Sequence, residues 1–266
     1  MSIVRIEPRF VARPWGSTDL SPWFAPPPAE KTGEVWFDAG PLLIKFLFTC
    51  EALSVQVHPG DDYARDKENS PGKTEMWHVL RAQPGARIAL GFRNPVTKEQ
   101  VRSAALDGSI ENLLSYHPAS AGDTFFTPAG AVHALGAGLV VCEIQQNSDV
   151  TYRLHDYNRL PRRPLHLDKS LDVLDLSSHP GKSPPSPLPS GGALLARCSY
   201  FAAERHEPAS PFPWPGGVMI VLEGSGKLET PGGTPLAPGE VWNVARGVTL
   251  FPSGRVVVLR AYVPSD

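Results

Sequence analysis

Residues 122–138 read GDTFFTPAGAVHALGAG, and their punctuation decides the fold. A short apolar run ends in a tight turn marked by Pro128 and Gly130, and a second run then carries His133. Proline presets one backbone angle of such a turn and glycine supplies the conformation other residues avoid, so the two runs are expected to be strands with a reversal between them. The second strand then delivers its histidine to the mouth of a closed sheet. The same punctuation recurs on both sides, in PLLIKFLFTCEALSVQVH (41–58), TEMWHVLRAQPGARIALGF (74–92) and VTYRLHDY (150–157). With 29 prolines and 24 glycines in 266 residues, turns are frequent and long helices few, so the expected class is all-β, built as antiparallel barrels or sandwiches.

One segment departs from this pattern. From Thr97 the chain offers a threonine N-cap with Gln100 three residues on, then apolar positions at helical spacing to Leu114, which predicts two short helices near residues 97–116. The Pro/Ser/Gly-rich run around 179–192 reads as a linker. It separates a larger β domain, 1–178, from a smaller one, 193–266, whose strand and turn order loosely echoes the first but which holds a single histidine, His206.

Composition narrows the function. The chain is 41% hydrophobic and 20% charged with a net charge of −2, and no basic stripe exists to meet a nucleic acid. Three cysteines, Cys50, Cys142 and Cys198, at wide spacing argue against a disulfide framework and for a reducing compartment. The N-terminus has charges and prolines where a signal peptide needs an apolar core, and no run is long and apolar enough for a membrane span. A cytoplasmic protein, monomeric or homodimeric, is expected.

The chemistry concentrates at four positions. In LSVQVH (53–58) strand alternation puts Ser54, Gln56 and His58 on one face and Leu53, Val55 and Val57 on the other. In GKTEMWHVL (72–80) Glu75 opens an apolar strand with Lys73 on its face. Gln56, His58, Glu75 and His133 together supply two imidazoles, a carboxylate and a carboxamide oxygen, a set that suits one zinc or another borderline divalent ion with room for water or substrate. The remaining histidines, His78 among them, have no comparable partners and read as ordinary structural side chains.

The spacing Gly122, five residues, Pro128, one residue, Gly130, two residues, His133 resembles the second signature motif of the cupin superfamily. LSVQVHPGDDYA, GKTEMWHVL, GDTFFTPAGAVHALGAGLVVCEIQQNSDVTYRLHDY and LHLDKSLDVL, supported by ARPWG and PLLIKFL, are similar to the short bacterial class I mannose-6-phosphate isomerases. The resemblance is dense from about residue 8 to 176. It implies two cupin jelly rolls and a zinc enzyme that interconverts mannose 6-phosphate and fructose 6-phosphate through an enediolate. It places the metal ligands on Gln56, His58, Glu75 and His133, an essential arginine on Arg153, an active-site lysine on Lys73, an active-site aspartate on Asp149 and a proton-transfer carboxylate on Glu143. Ser54 and Arg159 are further phosphate candidates beside Lys73 and Arg153. The chain departs from the family pattern at Gly60, where relatives often carry an acidic residue, and at His78, where an aromatic hydroxyl is usual, which leaves sugar specificity open. An isomerase for another aldose phosphate, a non-catalytic sugar-phosphate-binding cupin and an iron oxygenase on a two-histidine, one-carboxylate triad remain as alternatives.

Overall fold

Residues 2–25 and 30–265 are described by a computed structural model. The first part of the chain forms β1 (Ile3–Ile6), β2 (Arg9–Ser17), β3 (Thr32–Ala39), β4 (Leu42–Thr49), β5 (Val55–Val57), β6 (Glu75–Ala82), β7 (Arg87–Phe92), β8 (Leu114–Pro118), β9 (Thr124–Thr127), β10 (His133–Leu135), β11 (Leu139–Gln146) and β12 (Tyr152–His155). Helices α1 (Asp61–Glu68) and α2 (Lys98–Asp107) interrupt this series and α3 (Leu167–Val173) follows it. The rest is strand again: β13 (Ser186–Pro187), β14 (Ala193–Arg197), β15 (Ala202–His206), β16 (Phe212–Pro213), β17 (Gly217–Leu228), β18 (Thr234–Leu236), β19 (Val241–Val244) and β20 (Thr249–Tyr262). The class is all-β, with neighbouring strands antiparallel, as the turn punctuation predicts. None of the described helices is long and apolar enough to cross a membrane.

The chain divides into two compact units, residues 46–183 and residues 1–45 together with 184–266. The sequence boundary near 178–192 therefore has a counterpart, but the first 45 residues group with the C-terminal part. Within that second unit β1 lies antiparallel to β19, with Ile3 opposite Val244 and Ile6 opposite Val241. Nor is 179–192 all free linker. Lys182 bridges to Phe125, Ser183 N–H donates to Thr124 O, and β13 pairs with β14.

In the unit 46–183 a five-stranded sheet, β12-β5-β10-β7-β8, presents one face to strands β11-β6-β9. Its other face is covered by helices. Val55 and Val57 of β5 pack there with Ala89, Tyr152 and Leu154 against Val101, Ala104 and Ala105 of α2. Each fully buried valine contributes about 1.5–3 kcal/mol. Because alternation is strict, fixing Val55 and Val57 outward fixes Gln56 inward. The helix that holds this arrangement starts as predicted. The Thr97 hydroxyl accepts from Gln100 N–H at 3.2 Å and the Gln100 side chain accepts from Thr97 N–H at 2.8 Å. Gly108, at φ +86°, ends the helix in the left-handed conformation that glycine adopts without strain. The second expected helix is a single 3-10 turn, Ser109–Leu113. Helices α1 and α3, which the sequence reading left unassigned, complete the set.

Candidate metal centre

Two rows of inward side chains meet between the sheets. On the five-stranded sheet Gln56 sits opposite His133 of β10 on one side and opposite Arg153 of β12 on the other. On the facing strands Glu75 of β6 sits opposite Gln145 of β11 and Thr127 of β9. Directly opposed residues of antiparallel strands share a face, so each row is a line of three neighbours. His58 joins them from the turn after β5, its ring 4.7 Å from that of His133.

Donor atoms of His58, Glu75 and His133 lie within 4.8 Å of one another, and all three residues are buried. The imidazoles are held in one tautomer. The Nδ1 atom of His58 lies 2.9 Å from Val150 O and that of His133 lies 2.9 Å from Ala131 O. A carbonyl only accepts, so each Nδ1 carries the proton and each Nε2 turns its lone pair to the centre, the arrangement in which a second-shell carbonyl orients a metal-ligating histidine. Gln56 Nε2 donates to His133 Nε2 at 3.2 Å, and Ser54 Oγ donates to Gln56 Oε1 at 3.3 Å. A half-turn of the amide presents Oε1 to the centre and leaves Nε2 to donate to the Ser54 hydroxyl, so Ser54 serves either orientation.

Charge at the centre is organised around a cation. The Glu75 carboxyl lies 2.9 Å from Lys73 Nζ, 3.5 Å from His58 Nε2 and 3.4 Å from His133 Nε2. Neither of its oxygens receives a well-aligned hydrogen bond among the described residues. Burial alone raises the Glu75 pKa, but Lys73 and the two histidines outweigh it and hold the carboxyl well below the usual carboxylate range. Burial and then the Lys73 charge push His58 down to about 3, and burial is the main cause that lowers His133. Two neutral imidazoles and an ionised carboxylate are the donors a divalent metal needs. Lys73 Nζ, 3.0 Å from His58 Nε2, takes the lone pair that such an ion would use. The donor set fits a divalent metal, which would compete with the Lys73 ammonium for the His58 lone pair.

The other expected site residues fall in three places. Glu143 is buried one row beyond Gln145 on the inner face, and its Oε2 accepts from the Trp77 indole at 2.8 Å. Trp77 in turn meets the His133 ring edge-on at 5.3 Å. Arg153 anchors the segment after β12, donating from Nη1 to Pro164 O at 2.9 Å. Asp149 is exposed on the turn whose Val150 carbonyl orients His58. Arg159 lies apart from the cluster. Its guanidinium is held by Asp156 at 3.0 Å, Glu51 at 3.3 Å and Ala52 O, so a phosphate role requires it to exchange those partners. His78, set aside in the sequence reading, is buried with Nδ1 3.1 Å from Thr124 Oγ1.

No protein-family model matches the chain. A mannose-6-phosphate isomerase of Bacillus subtilis (strain 168) is 36% identical over 216 residues, 65% of this chain and 68% of the relative. The chain belongs to the mannose-6-phosphate isomerases. A second member, from Streptococcus mutans serotype c, is 41% identical over 148 residues, which cover 54% of this chain and 46% of that protein. The crystal structure of the mannose 6-phosphate isomerase from Bacillus subtilis superposes with a TM-score of 0.89 at 26% identity, covering 99% of this chain and 100% of that one. The structural similarity thus extends over residues 177–266, where the sequence resemblance is thin.

Alternation along residues 141–145 puts Gln145 on the face of Glu143 without giving it a role, and Thr127 is not singled out by the sequence; both are neighbours of Glu75 in its row. Their signal was a register across three strands, which a single strand's alternation does not reveal.

Proposed function

We propose that the chain interconverts mannose 6-phosphate and fructose 6-phosphate in the cytoplasm, with one zinc ion held by Gln56, His58, Glu75 and His133. The observation that carries this reading is the buried His58, Glu75, His133 cluster inside a chain of the mannose-6-phosphate isomerase family. A bound divalent ion stabilises the negative charge that develops when a proton moves between C1 and C2.

The chain's own residues do the rest. Val150 O and Ala131 O keep His58 and His133 in the metal-binding tautomer. Lys73, 2.9 Å from the Glu75 carboxyl, offers its ammonium to a substrate oxygen. Arg153, beside Gln56 in the sheet row, directs its fixed fork at an anionic oxygen or the phosphate. Glu143, which accepts the Trp77 indole N–H on Oε2, accepts the substrate proton and returns it to the neighbouring carbon. Asp149 stands at the rim. The C-terminal part of the chain is structural in this reading. Its conspicuous polar cluster is saturated from within, since Glu204 receives His206 Nε2, Arg260 Nη1 and Tyr262 OH, each at 3.0 Å.

The test is a coupled assay across a panel of aldose and ketose phosphates, run on chelated and metal-restored protein. Turnover of mannose 6-phosphate that vanishes with the metal and returns with zinc is expected. Binding without turnover of any sugar phosphate would leave a non-catalytic cupin, and a faster rate on another aldose phosphate would reassign the substrate.

A further inference from the structure

We infer that Gln145 and Thr127 are substrate-binding residues that accept hydrogen bonds from sugar hydroxyl groups on either side of Glu75, an inference that rests on the sugar-phosphate reading of this site. Both side chains are fully enclosed, Gln145 at 0% and Thr127 at 1% exposure. Both sit directly opposite Glu75, one on each neighbouring strand. Among the described residues, no hydrogen bond reaches Gln145 Oε1 or Thr127 Oγ1. Buried polar atoms are almost always partnered, so a row of exceptions on the inner face marks where a ligand's hydrogens belong.

The orientation of Gln145 is not free. Its Nε2 donates to Gln146 O at 2.8 Å and also to Ser148 O. Turning the amide over would set Oε1 against two carbonyl oxygens, so the NH2 group is committed to the backbone and Oε1 is left to accept elsewhere. The chemistry of the remaining groups says from what. Lys73, Arg153 and a bound divalent ion are all partners for carbonyl, alkoxide or phosphate oxygens. A polyol phosphate also presents several O–H donors, and Gln145 and Thr127 are acceptors for them.

The experiment uses Thr127→Val, which deletes the hydroxyl while keeping the shape, and Gln145→Met, which removes the acceptor at similar length. Metal content, turnover and calorimetric binding of mannose 6-phosphate and its 3-deoxy and 4-deoxy analogues are measured for the zinc-loaded proteins. Wild type is expected to bind at least one deoxy analogue about tenfold more weakly than the parent sugar phosphate. Each variant should bind the parent about tenfold more weakly, lose discrimination against one analogue and keep its metal. Without ligand, Thr127→Val should unfold at the same or a higher temperature, because a buried hydroxyl without a partner has been removed. Should Gln145→Met not fold, Thr127→Val decides alone. Wild-type affinity and discrimination in the folded variants overturn the inference, as does weakened binding that tracks metal loss or that is equal for parent and analogues, which would mean an ordered water. Binding and discrimination without turnover would sink the isomerase reading and leave this one standing.

Discussion

Two carboxylates two residues of register apart on the same inner face have different surroundings, and the surroundings assign their work. Glu75 is crowded by cationic and imidazole nitrogens and stays ionised, as a ligand must. Glu143 accepts an indole hydrogen bond from Trp77, its cross-strand neighbour on β6. Glu143→Gln keeps the size and the indole contact but removes basicity. It is expected to hold metal and sugar phosphate normally while isomerisation and exchange of the C1 or C2 hydrogen with deuterated water both fall by about a hundredfold or more. Exchange near the wild-type rate would move the proton-transfer role to another group. At the proposed metal site, His133→Ala leaves His58 as the one remaining imidazole, and zinc content measured after dialysis should drop to a small fraction of that of wild type. The residues that make up this centre were legible in the sequence because their spacing within each strand is local. Gln56, His58 and the Pro128–Gly130–His133 turn can be read from one stretch at a time. Gln145 and Thr127 could not be found that way, because what distinguishes them is which residue they face across a sheet.

At the scale of elements, the segment that follows β12 shows how a loop is fixed without regular structure. Asp156 gathers Arg159 at 3.0 Å and Arg163 at 2.7 Å, while Arg153 and His166 close the base through Arg153 N–H to His166 Nδ1 and His166 N–H to Arg153 O. Burial raises the Asp156 pKa, but the hydrogen bonds and charge of Arg163, with Arg159 and Arg153 behind them, bring it below the ordinary value. A depressed carboxyl stabilises the fold above its unfolded pKa of about 3.9 and loses that contribution as pH falls through the lower folded value. Asp156→Asn should therefore cost about 3 kcal/mol at pH 7, where two guanidinium groups lose their shared partner. The gap from wild type should narrow below about pH 4. Denaturant unfolding at pH 7 and pH 3.5 measures both, and an equal gap at the two values would mean that Asp156 acts by packing alone. The same variant releases Arg159, so a lower KM for the sugar phosphate would restore Arg159 as a phosphate ligand. Sequence alone does not reveal this ion-pair framework, which depends on Glu51 and Asp156 lying near one arginine despite 108 residues of separation between Glu51 and Arg159.

Over the whole molecule, the division of the chain does not follow sequence order. The composition shift near 179–192 is visible by eye, yet nothing local in IVRI (3–6) says that these residues close the edge of a sheet built from the far end of the chain. The nine-stranded sheet runs β1-β19-β17-β20-β15-β14-β13, so β1 is the cover of one edge. Ile3 packs on the core formed by Trp214, Met219, Trp242 and Val244. Removal of residues 1–7 strips four paired positions from β19 and bares its backbone donors and acceptors. At about 1 kcal/mol for each net hydrogen bond, the loss is on the order of 2–4 kcal/mol, with the apolar cover of Ile3 in addition. Denaturant unfolding of the shortened chain should show that loss together with a greater tendency to associate through the bared edge. Zinc content should stay at the wild-type level, because every proposed ligand lies between residues 46 and 183. A shortened chain that unfolds at the wild-type midpoint would make β1 dispensable, and one that loses its zinc would tie the N-terminal strand to the integrity of the metal-binding unit.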